Sequence, residues 1–475
     1  MSTDCVEYPN PRSIWQWDRA QMADWQVRQF NQQLDAALPQ NRFYRDKLTS
    51  AGIPLHTRLS RLEELSDWPL TSKQELVDSA DHSEDGWSQH HTFGPEAYSR
   101  LHRTSGTKGM PLLVADTAQD WQWWSTTWQH VLEAAEVTPA DRVFLAFSFG
   151  PFIGFWSAHQ ACADRGALVI PGGGMTSLAR LEFLRQSAAT IVCCTPSYAL
   201  HLAEVAAAEN FLLAELPVQR IIVAGESGGS LQGVRQAIQD AWKAQVIDHA
   251  GATEVGPWGF GWPNRCGLHV IESSFIAEIL PLNDAVHLSS SLPNAGLPNA
   301  GLPDAGLPDA GLPDAGLLGA TWQHVPGRGV QGVVGELVLT SLGRHGAPVI
   351  RYRTGDVVRT AQAPTTEAHG CSFLWLPEGI IGRTDDMITI RGVNMFPSSV
   401  DSLVRSLLPC SEYQVRISQN RSLEQLLISI EASQEAAERL EKLLASRLGL
   451  RVNVTSLPPG SLPRSEGKSR RWIRS

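Results

Sequence analysis

The chain has 475 residues, more than one ordinary hydrophobic core holds, so two or more domains are expected. Hydrophobic residues make up 43%, a proportion that excludes wholesale disorder. Acidic side chains outnumber basic ones by 49 to 39, and the resulting charge of −10 argues against nucleic acid or an anionic membrane as partner. Any anionic substrate must then be held by a local site.

The start, MSTDCVEYPN, has neither a basic end nor an apolar core, so no signal peptide is read. Seven scattered cysteines suggest reduced thiols in a cytoplasmic protein. Residues 14–50 carry Trp15, Trp25, Phe30 and Leu34 at mixed helical spacing, with a short link at Pro39. The uncharged run Val143 to Ala163 is long enough for a membrane span. Its Gly150-Pro151, Gly154, His159 and Gln160 read instead as a buried strand, a glycine loop and a helix start, with no membrane partner expected.

From about 100 to 280, apolar runs alternate with helical stretches: RVFLAF (142–147), ALVIP (167–171), TIVCCT (190–195), RIIVAG (220–225) and AQVIDH (244–249). That alternation predicts a mostly parallel sheet covered on both faces. Residues 332–360 read as two extended segments joined by a turn, a hairpin or small barrel. Between these regions stand five copies of LP(N/D)AG, from Leu292 to Gly316. Proline and glycine every five residues prevent a helix or ladder, so the array reads as a disordered insertion without chemistry. After about Ile380, LEQLLISIEA predicts a strand and SQEAAERLEKLLASRLG a helix, together a small α+β domain joined near Asp385. The expected fold class is therefore α/β. A large body, 1–384, combines mixed and parallel sheets covered by helices with a small barrel-like β region; a small domain, 385–475, follows.

Five segments carry chemistry. RTSGTKGMP (103–111) gathers three hydroxyls, two glycines and Lys108 in a turn whose backbone N–H groups can approach an oxyanion. It is not a Walker loop, and a Ser/Gly surface turn is its plain alternative. In AGATEVGPWGF (250–260), a carboxylate between a hydroxyl and glycines can hold Mg²⁺ near phosphates, or Glu254 can simply cap a helix. In VIRYRTGDVVRT (349–360), an aspartate at a strand end can accept both ribose hydroxyls. GRTDDMITIRGVNMFP (382–397) and the terminal PRSEGKSRRWIRS, with Lys468 between polar residues and glycine, complete the set.

In this order the five motifs resemble the adenylate-forming superfamily, in particular its phenylacetate–CoA ligase branch. NRFYRDKLTSAGI (41–53), LEELSDWPLTSKQEL (62–76) and IPGGGMTSLARLEFLRQSAATIVCCTPSYAL (170–200) are similar to further signatures of the branch, so the likeness covers nearly the whole chain apart from the array. The resemblance implies an enzyme that activates a carboxylic acid, aryl or arylacetic, with ATP and Mg²⁺, then transfers the acyl group to coenzyme A. Ser105, Gly106, Thr107, Lys108 and Gly109 would form the phosphate loop. Thr253 and Glu254 would meet the α-phosphate and Mg²⁺, Asp356 the ribose, and Gly225, Glu226 and Ser227 the adenine. Arg383 would contact nucleotide beside a hinge at Asp385. Lys468 would bridge the acid and α-phosphate. After adenylation the small domain would rotate and bring the Gly392 loop to a pantetheine channel. Relatives of this kind are often homodimers.

Two departures stand out: Ala250, before Gly251, replaces a frequent aromatic, and Lys108 replaces a common threonine. Phe149, Phe152, Trp156 and the Gly172–Gly174 run, with Gly173 and Gly174 at its centre, lie where the acid pocket is implied, and read equally as core around the sheet. Trp121, Trp124 and Trp128 share a helical face, as core or as an aromatic wall for the acid. Cys266, His269, His369 and Cys371 have zinc-ligand spacing, so a structural Zn²⁺ is weighed against unrelated surface residues. GRGVQG (327–332) formally fits a dinucleotide fingerprint but precedes a β pattern, so a dinucleotide site is not expected. Adenylation with another acceptor, such as a carrier protein or a deazaflavin, and a catalytically silent nucleotide-binding protein remain the alternative readings.

Overall fold

The computed structural model describes residues 10–81, 87–104, 111–147, 149–282, 332–361, 370–384, 386, 388–390, 393–408, 411–420, 423–448, 452–463 and 471–474. The array, the segment 105–110, Asp385, Gly392, His369, Lys468 and all of GRGVQG but its last glycine lie outside the described residues.

The body carries strands β1 (Tyr98–Arg103), β2 (Leu113–Thr117), β3 (Arg142–Leu145), β4 (Leu168–Pro171), β5 (Ile191–Cys194), β6 (Arg220–Ala224) and β7 (Gln245–Ala252). Next come β8 (Gly256–Trp262), β9 (Arg265–Val270), β10 (Phe275–Pro281), β11 (Val334–Ser341), β12 (Tyr352–Arg359), β13 (Trp375–Leu376) and β14 (Ile380–Arg383). Every apolar run expected as a strand between 142 and 249 is one. They build an eight-stranded sheet in the order β13-β9-β8-β7-β6-β5-β3-β4, parallel from β4 to β7. Strands buried on both faces need no polar alternation, and Ile191–Cys194 is buried at every position.

One face packs on the helices Ala118–Ala134 and Ile153–Asp164, where Val143, Leu145, Ile222 and Ile247 share one buried core with Trp124 and Trp128. The other face, with Phe144, Val192, Val223 and Val246, packs on Ser177–Ser187, Pro196–Ala208 and Gln232–Trp242. The three tryptophans are core: Trp121, Trp124 and Trp128 are buried, and their indole N–H groups donate to Gln160, Asp116 and Ser157. Val143 to Ala163 resolves into strand, loop and helix as expected, and among the described residues no helix is long and apolar enough to cross a membrane.

The pair expected in 332–360 is β11 and β12, the centre of an antiparallel four-stranded sheet β10-β11-β12-β14. N-terminal helices Pro11–Trp15, Arg19–Ala37 and Arg42–Ser50 cover the body, the second opened by the reciprocal Asp18–Gln21 capping box.

Beyond β14 the short hairpin β15 (Ile388–Ile390) and β16 (Val393–Met395) leads into β17 (Tyr413–Asn420), β18 (Leu423–Ile430), β19 (Asn453–Ser456) and β20 (Trp472–Arg474). The last four form one sheet, β19-β18-β17-β20, with the helix Gln434–Leu448 on it and a core of its own from Ile388 to Val452. This unit touches the body where helix Pro397–Leu407 crosses Gln232–Trp242. A Cβ on Gly233 would stand 2.8 Å from the Arg405 carbonyl oxygen, so the approach depends on that glycine.

Candidate active site

Parallel strands leave their carboxyl ends at one rim of the sheet, where an open α/β fold binds ligands. Gly225, Glu226 and Ser227 follow β6 at that rim. Gly225 has φ +90°, and the Glu226 carboxylate accepts from the Ser197 N–H at 2.7 Å, at the start of helix Pro196–Ala208. The turn Thr253–Glu254 joins β7 to β8 at the same rim. Strands β1 and β2 form a hairpin closed at Thr104 and Leu112, whose backbones bond at 3.0 Å, and the segment Ser105–Gly109 connects its two strands.

Glu254 is the best-tied carboxylate of the rim. Its Oε1 accepts from Lys73 Nζ at 2.9 Å and from the Tyr352 hydroxyl at 3.1 Å. Burial pushes its pKa up, but the Lys73 charge and hydrogen bond, with a backbone N–H and Tyr352, outweigh that and hold it below the ordinary carboxylate range. Tyr352 begins β12, and Asp356 follows four residues on, on the same strand. Asp356 is buried and pairs in register with Arg383 of β14, whose Nη1 lies 2.9 Å from Oδ1. The structure thus pairs Asp356 with Arg383, and ties Glu254 to Tyr352 of the strand that carries Asp356.

Two basic residues of this site escaped the motif reading. Lys73 opens helix Lys73–Asp81, where Ser72 and Glu75 exchange the bonds of a capping box. Thr71 fastens that helix start to β12: its N–H donates to the Arg351 carbonyl and its carbonyl accepts from Arg353 N–H, both at 2.8 Å. The S-x-x-E signal in TSKQEL marks the helix start but says nothing of what its lysine meets. Arg344 is fully buried. It donates to Asp116 Oδ1 at 2.8 Å and to the carbonyls of Thr253 and Glu254 at 3.1 and 3.0 Å, so it clamps their turn to β2.

The implied acid pocket is gathered in part. Phe149 meets Trp156 edge-on at 4.8 Å, and Gly173 lies against Phe147 and Phe149: a Cβ there would stand 2.8 Å from the Phe147 carbonyl and 3.3 Å from the Phe149 ring. Gly174 has φ +71°. Phe152 is 43% exposed. Ala250 is buried on β7, with Gly259 of β8 directly opposite, and Gly251 follows it.

The zinc candidates do not converge among the described residues, where no three His, Cys, Asp or Glu side chains gather around a metal position. His269 donates from Nδ1 to the Phe373 carbonyl at 3.0 Å and receives Arg265 at Nε2, so both nitrogens are engaged. Cys266 faces Arg235 and Asp248, whereas Cys371 lies near Arg19.

A parallel sheet with a carboxylate-bearing turn at its rim, a second sheet presenting Asp356, and a small docked α+β unit together define the architecture of an adenylate-forming enzyme. Residues 392–475 match the model of the AMP-binding enzyme C-terminal domain. The chain is 28% identical over 469 residues to the phenylacetate-coenzyme A ligase of Thermus thermophilus, covering 91% of each. The fold superposes on 2-hydroxyisobutyryl-CoA ligase in its postadenylation state with a TM-score of 0.81 at 24% identity, covering 100% of this chain and 94% of that one. Against the same protein in its thioesterification state the TM-score is 0.66 at 25% identity, over 98% and 91% of the two chains. Over about nine-tenths of its length the chain is thus similar to phenylacetate-coenzyme A ligases, and its last 84 residues carry the AMP-binding enzyme C-terminal domain.

Proposed function

We propose that this chain activates a carboxylic acid with ATP and passes the acyl group to coenzyme A, releasing pyrophosphate and then AMP. The observation that carries the reading is the bonded series Lys73–Glu254–Tyr352 on the rim, continued along β12 to Asp356 and Arg383. Acid and nucleotide are both anionic, so their approach needs positive charge and oriented donors. Glu254 suits a Mg²⁺ ion: it is an ionised hard-oxygen ligand, and such ions take one or two carboxylates and complete their shell with phosphates. When bound, that ion would offset phosphate charge and polarise the reacting phosphoryl group.

In the first half-reaction a carboxylate oxygen of the acid attacks the α-phosphorus, and the bond to pyrophosphate breaks. Thr253 would donate its hydroxyl to the α-phosphate, and Asp356 would accept the ribose hydroxyls. Lys73 would extend from Glu254 toward the phosphates. Lys468 would offset the charge between carboxylate and phosphate, and Ser105–Gly109 would enclose the leaving group. In the second half-reaction the thiol sulfur, its proton lost, attacks the acyl carbon and AMP departs. The small domain, 385–475, would turn about Asp385 between the two steps and present the Gly392 loop to the thiol.

Phe149, Trp156 and the close-packed Gly173 support an aryl or arylacetic acid. Acid-dependent exchange of labelled pyrophosphate into ATP tests adenylation, and omission of CoA from the full reaction tests the acceptor. Lys468→Ala is expected to lose acyl-adenylate formation while thioester formation from supplied acyl-adenylate survives. Equal loss of both half-reactions counts against this assignment.

A further inference from the structure

His249 sits on β7, on the sheet face that carries the helices Ala118–Ala134 and Ile153–Asp164, at the rim just before Ala250-Gly251-Ala252-Thr253-Glu254. Its ring lies 4.1 Å from that of Trp128, tilted by 46°. Trp128 is itself held by its bond to Ser157 Oγ at 3.0 Å. The residue is 7% exposed, yet only one of its ring nitrogens has a polar partner among the described residues: Nδ1 meets the Gly259 carbonyl oxygen at 2.8 Å.

A carbonyl oxygen only accepts, so Nδ1 carries the proton. Burial lowers the ring's pKa to about 4, which keeps it neutral and leaves Nε2 with a bare lone pair. That lone pair lies 3.5 Å from where a Cβ on Gly251 would be, and the neighbouring positions Ala224, Gly225, Ala250 and Ala252 carry little or no side chain. Nε2 is not one of the fully enclosed polar atoms left without a partner, so its lone pair is reachable from the rim and can accept from a donor that a ligand brings. Thr253 stands four residues on, at most ~13 Å along an extended strand, a span that suits an acid of one ring with a distal substituent.

We propose that His249 is a specificity-determining residue, its Nε2 accepting a hydrogen bond from a hydroxyl or N–H group carried by the acid away from its carboxylate. The preferred substrates are then hydroxylated or aminated aryl acids rather than the bare aryl or its ether. This rests on the proposed adenylation for its catalytic readout only; equilibrium binding carries the same comparison without chemistry.

The test uses the full chain with matched sets of acids: phenylacetate and benzoate, their ring hydroxy and amino derivatives, and the corresponding methyl ethers. Pyrophosphate exchange and calorimetric binding are both measured. The wild type is expected to favour at least one donor-bearing acid over its ether and its parent by about 100-fold or more. His249→Leu should collapse that ratio to within a few-fold, and His249→Gln, which keeps an acceptor, should restore part of it. Thermal melts of both variants establish that they fold. Equal use of donor and ether acids by the wild type, or an unchanged ratio in a folded His249→Leu, overturns the proposal while adenylation stands. Absence of exchange with every acid, together with donor-selective binding that His249→Leu abolishes, overturns the ligase reading and upholds the role of His249.

Discussion

Lys73 Nζ stands 2.9 Å from Glu254 Oε1, so the carboxylate that would meet the metal and phosphates already carries a positive partner. The pair joins a helix start in the N-terminal region to a turn at the rim of the central sheet. Burial alone would raise the Glu254 pKa, and Lys73 is the largest of the contributions that reverse this. Lys73→Met removes the charge but leaves the burial, so the Glu254 pKa should rise. A carboxylate with a depressed folded pKa contributes stability above its unfolded pKa and loses it as pH falls through the folded one; the variant forfeits that contribution at neutral pH. The acid limb of the adenylation rate should move to higher pH, and the rate at neutral pH should drop about 100-fold. Pyrophosphate exchange across the acid and neutral range checks both. An acid limb that does not move would show that Lys73 does not set the charge of Glu254.

Arg344 and Asp116 form the second pair, both fully buried. Burial pushes Asp116 up to about 6, the Arg344 charge opposes this, and Asp120 adds to it; Oδ2 of Asp116 has no hydrogen-bond partner among the described residues. A carboxyl whose folded pKa exceeds its unfolded value of about 3.9 contributes stability that is complete below the unfolded value. That contribution is lost as pH rises through about 6. Asp116→Asn should therefore flatten the fall in melting temperature across that window. Arg344→Met leaves the carboxylate buried without its cation and should cost about 3–5 kcal/mol, most of it recovered in the double variant with Asp116→Asn. Denaturant unfolding of the four proteins measures the coupling. The double variant, although stable, should still adenylate slowly, because the carbonyls of Thr253 and Glu254 have lost their donor.

The body was readable because parallel strands leave uninterrupted apolar runs, and all of those between 142 and 249 became neighbours in one sheet. The resemblance implied that Glu254, Asp356 and Arg383 face one nucleotide; the structure shows the Asp356–Arg383 pair and the bond from Tyr352 of the same strand to Glu254. Lys73 and Arg344 were not readable. A lysine at a helix start and an arginine in a glycine turn look solvated until a distant strand provides the carboxylate, and the partner of Arg344 lies 228 residues earlier. His249 was hidden for the same reason, since its tautomer is set by Gly259 across a strand pair. The tryptophan helix face was legible as a face, but its partners Gln160, Asp116 and Ser157 come from other elements.

Gly233 separates the docking of the small unit from the stability of the body. It lies in the first turn of helix Gln232–Trp242, where alanine is intrinsically no worse a helix former than glycine. The added Cβ would meet the Arg405 carbonyl oxygen at 2.8 Å, closer than ordinary contact, so helix Pro397–Leu407 would have to move away. Gly233→Ala should leave the melting temperature of the body unchanged or raised while weakening the docked arrangement. Limited proteolysis is the direct readout: cleavage between body and small domain should accelerate in the variant. A variant cleaved as slowly as the wild type would show that this crossing does not hold the two units together.

The pentapeptide array offers a prediction about what the fold does not need. Strands β10 and β11 are antiparallel neighbours with Pro281 opposite Gly335, so the chain leaves the sheet and returns to it at the same point. Paired Cα atoms across such a ladder are only about 5 Å apart. Deleting 292–316 still leaves residues 282–291 and 317–333 to close the connection. The entropy of closing a flexible loop changes by only about 0.6 kcal/mol for each doubling of its length, so halving this one should be neutral or slightly stabilising. The deletion variant is expected to melt within a few degrees of the wild type and to retain its acid preference and exchange rate within about two-fold, since β11 leads on to β12 and its Tyr352 and Asp356 without strain. A large loss of exchange with an unchanged melting temperature would mean instead that the repeat reaches the rim and takes part in the reaction, against the reading of its composition.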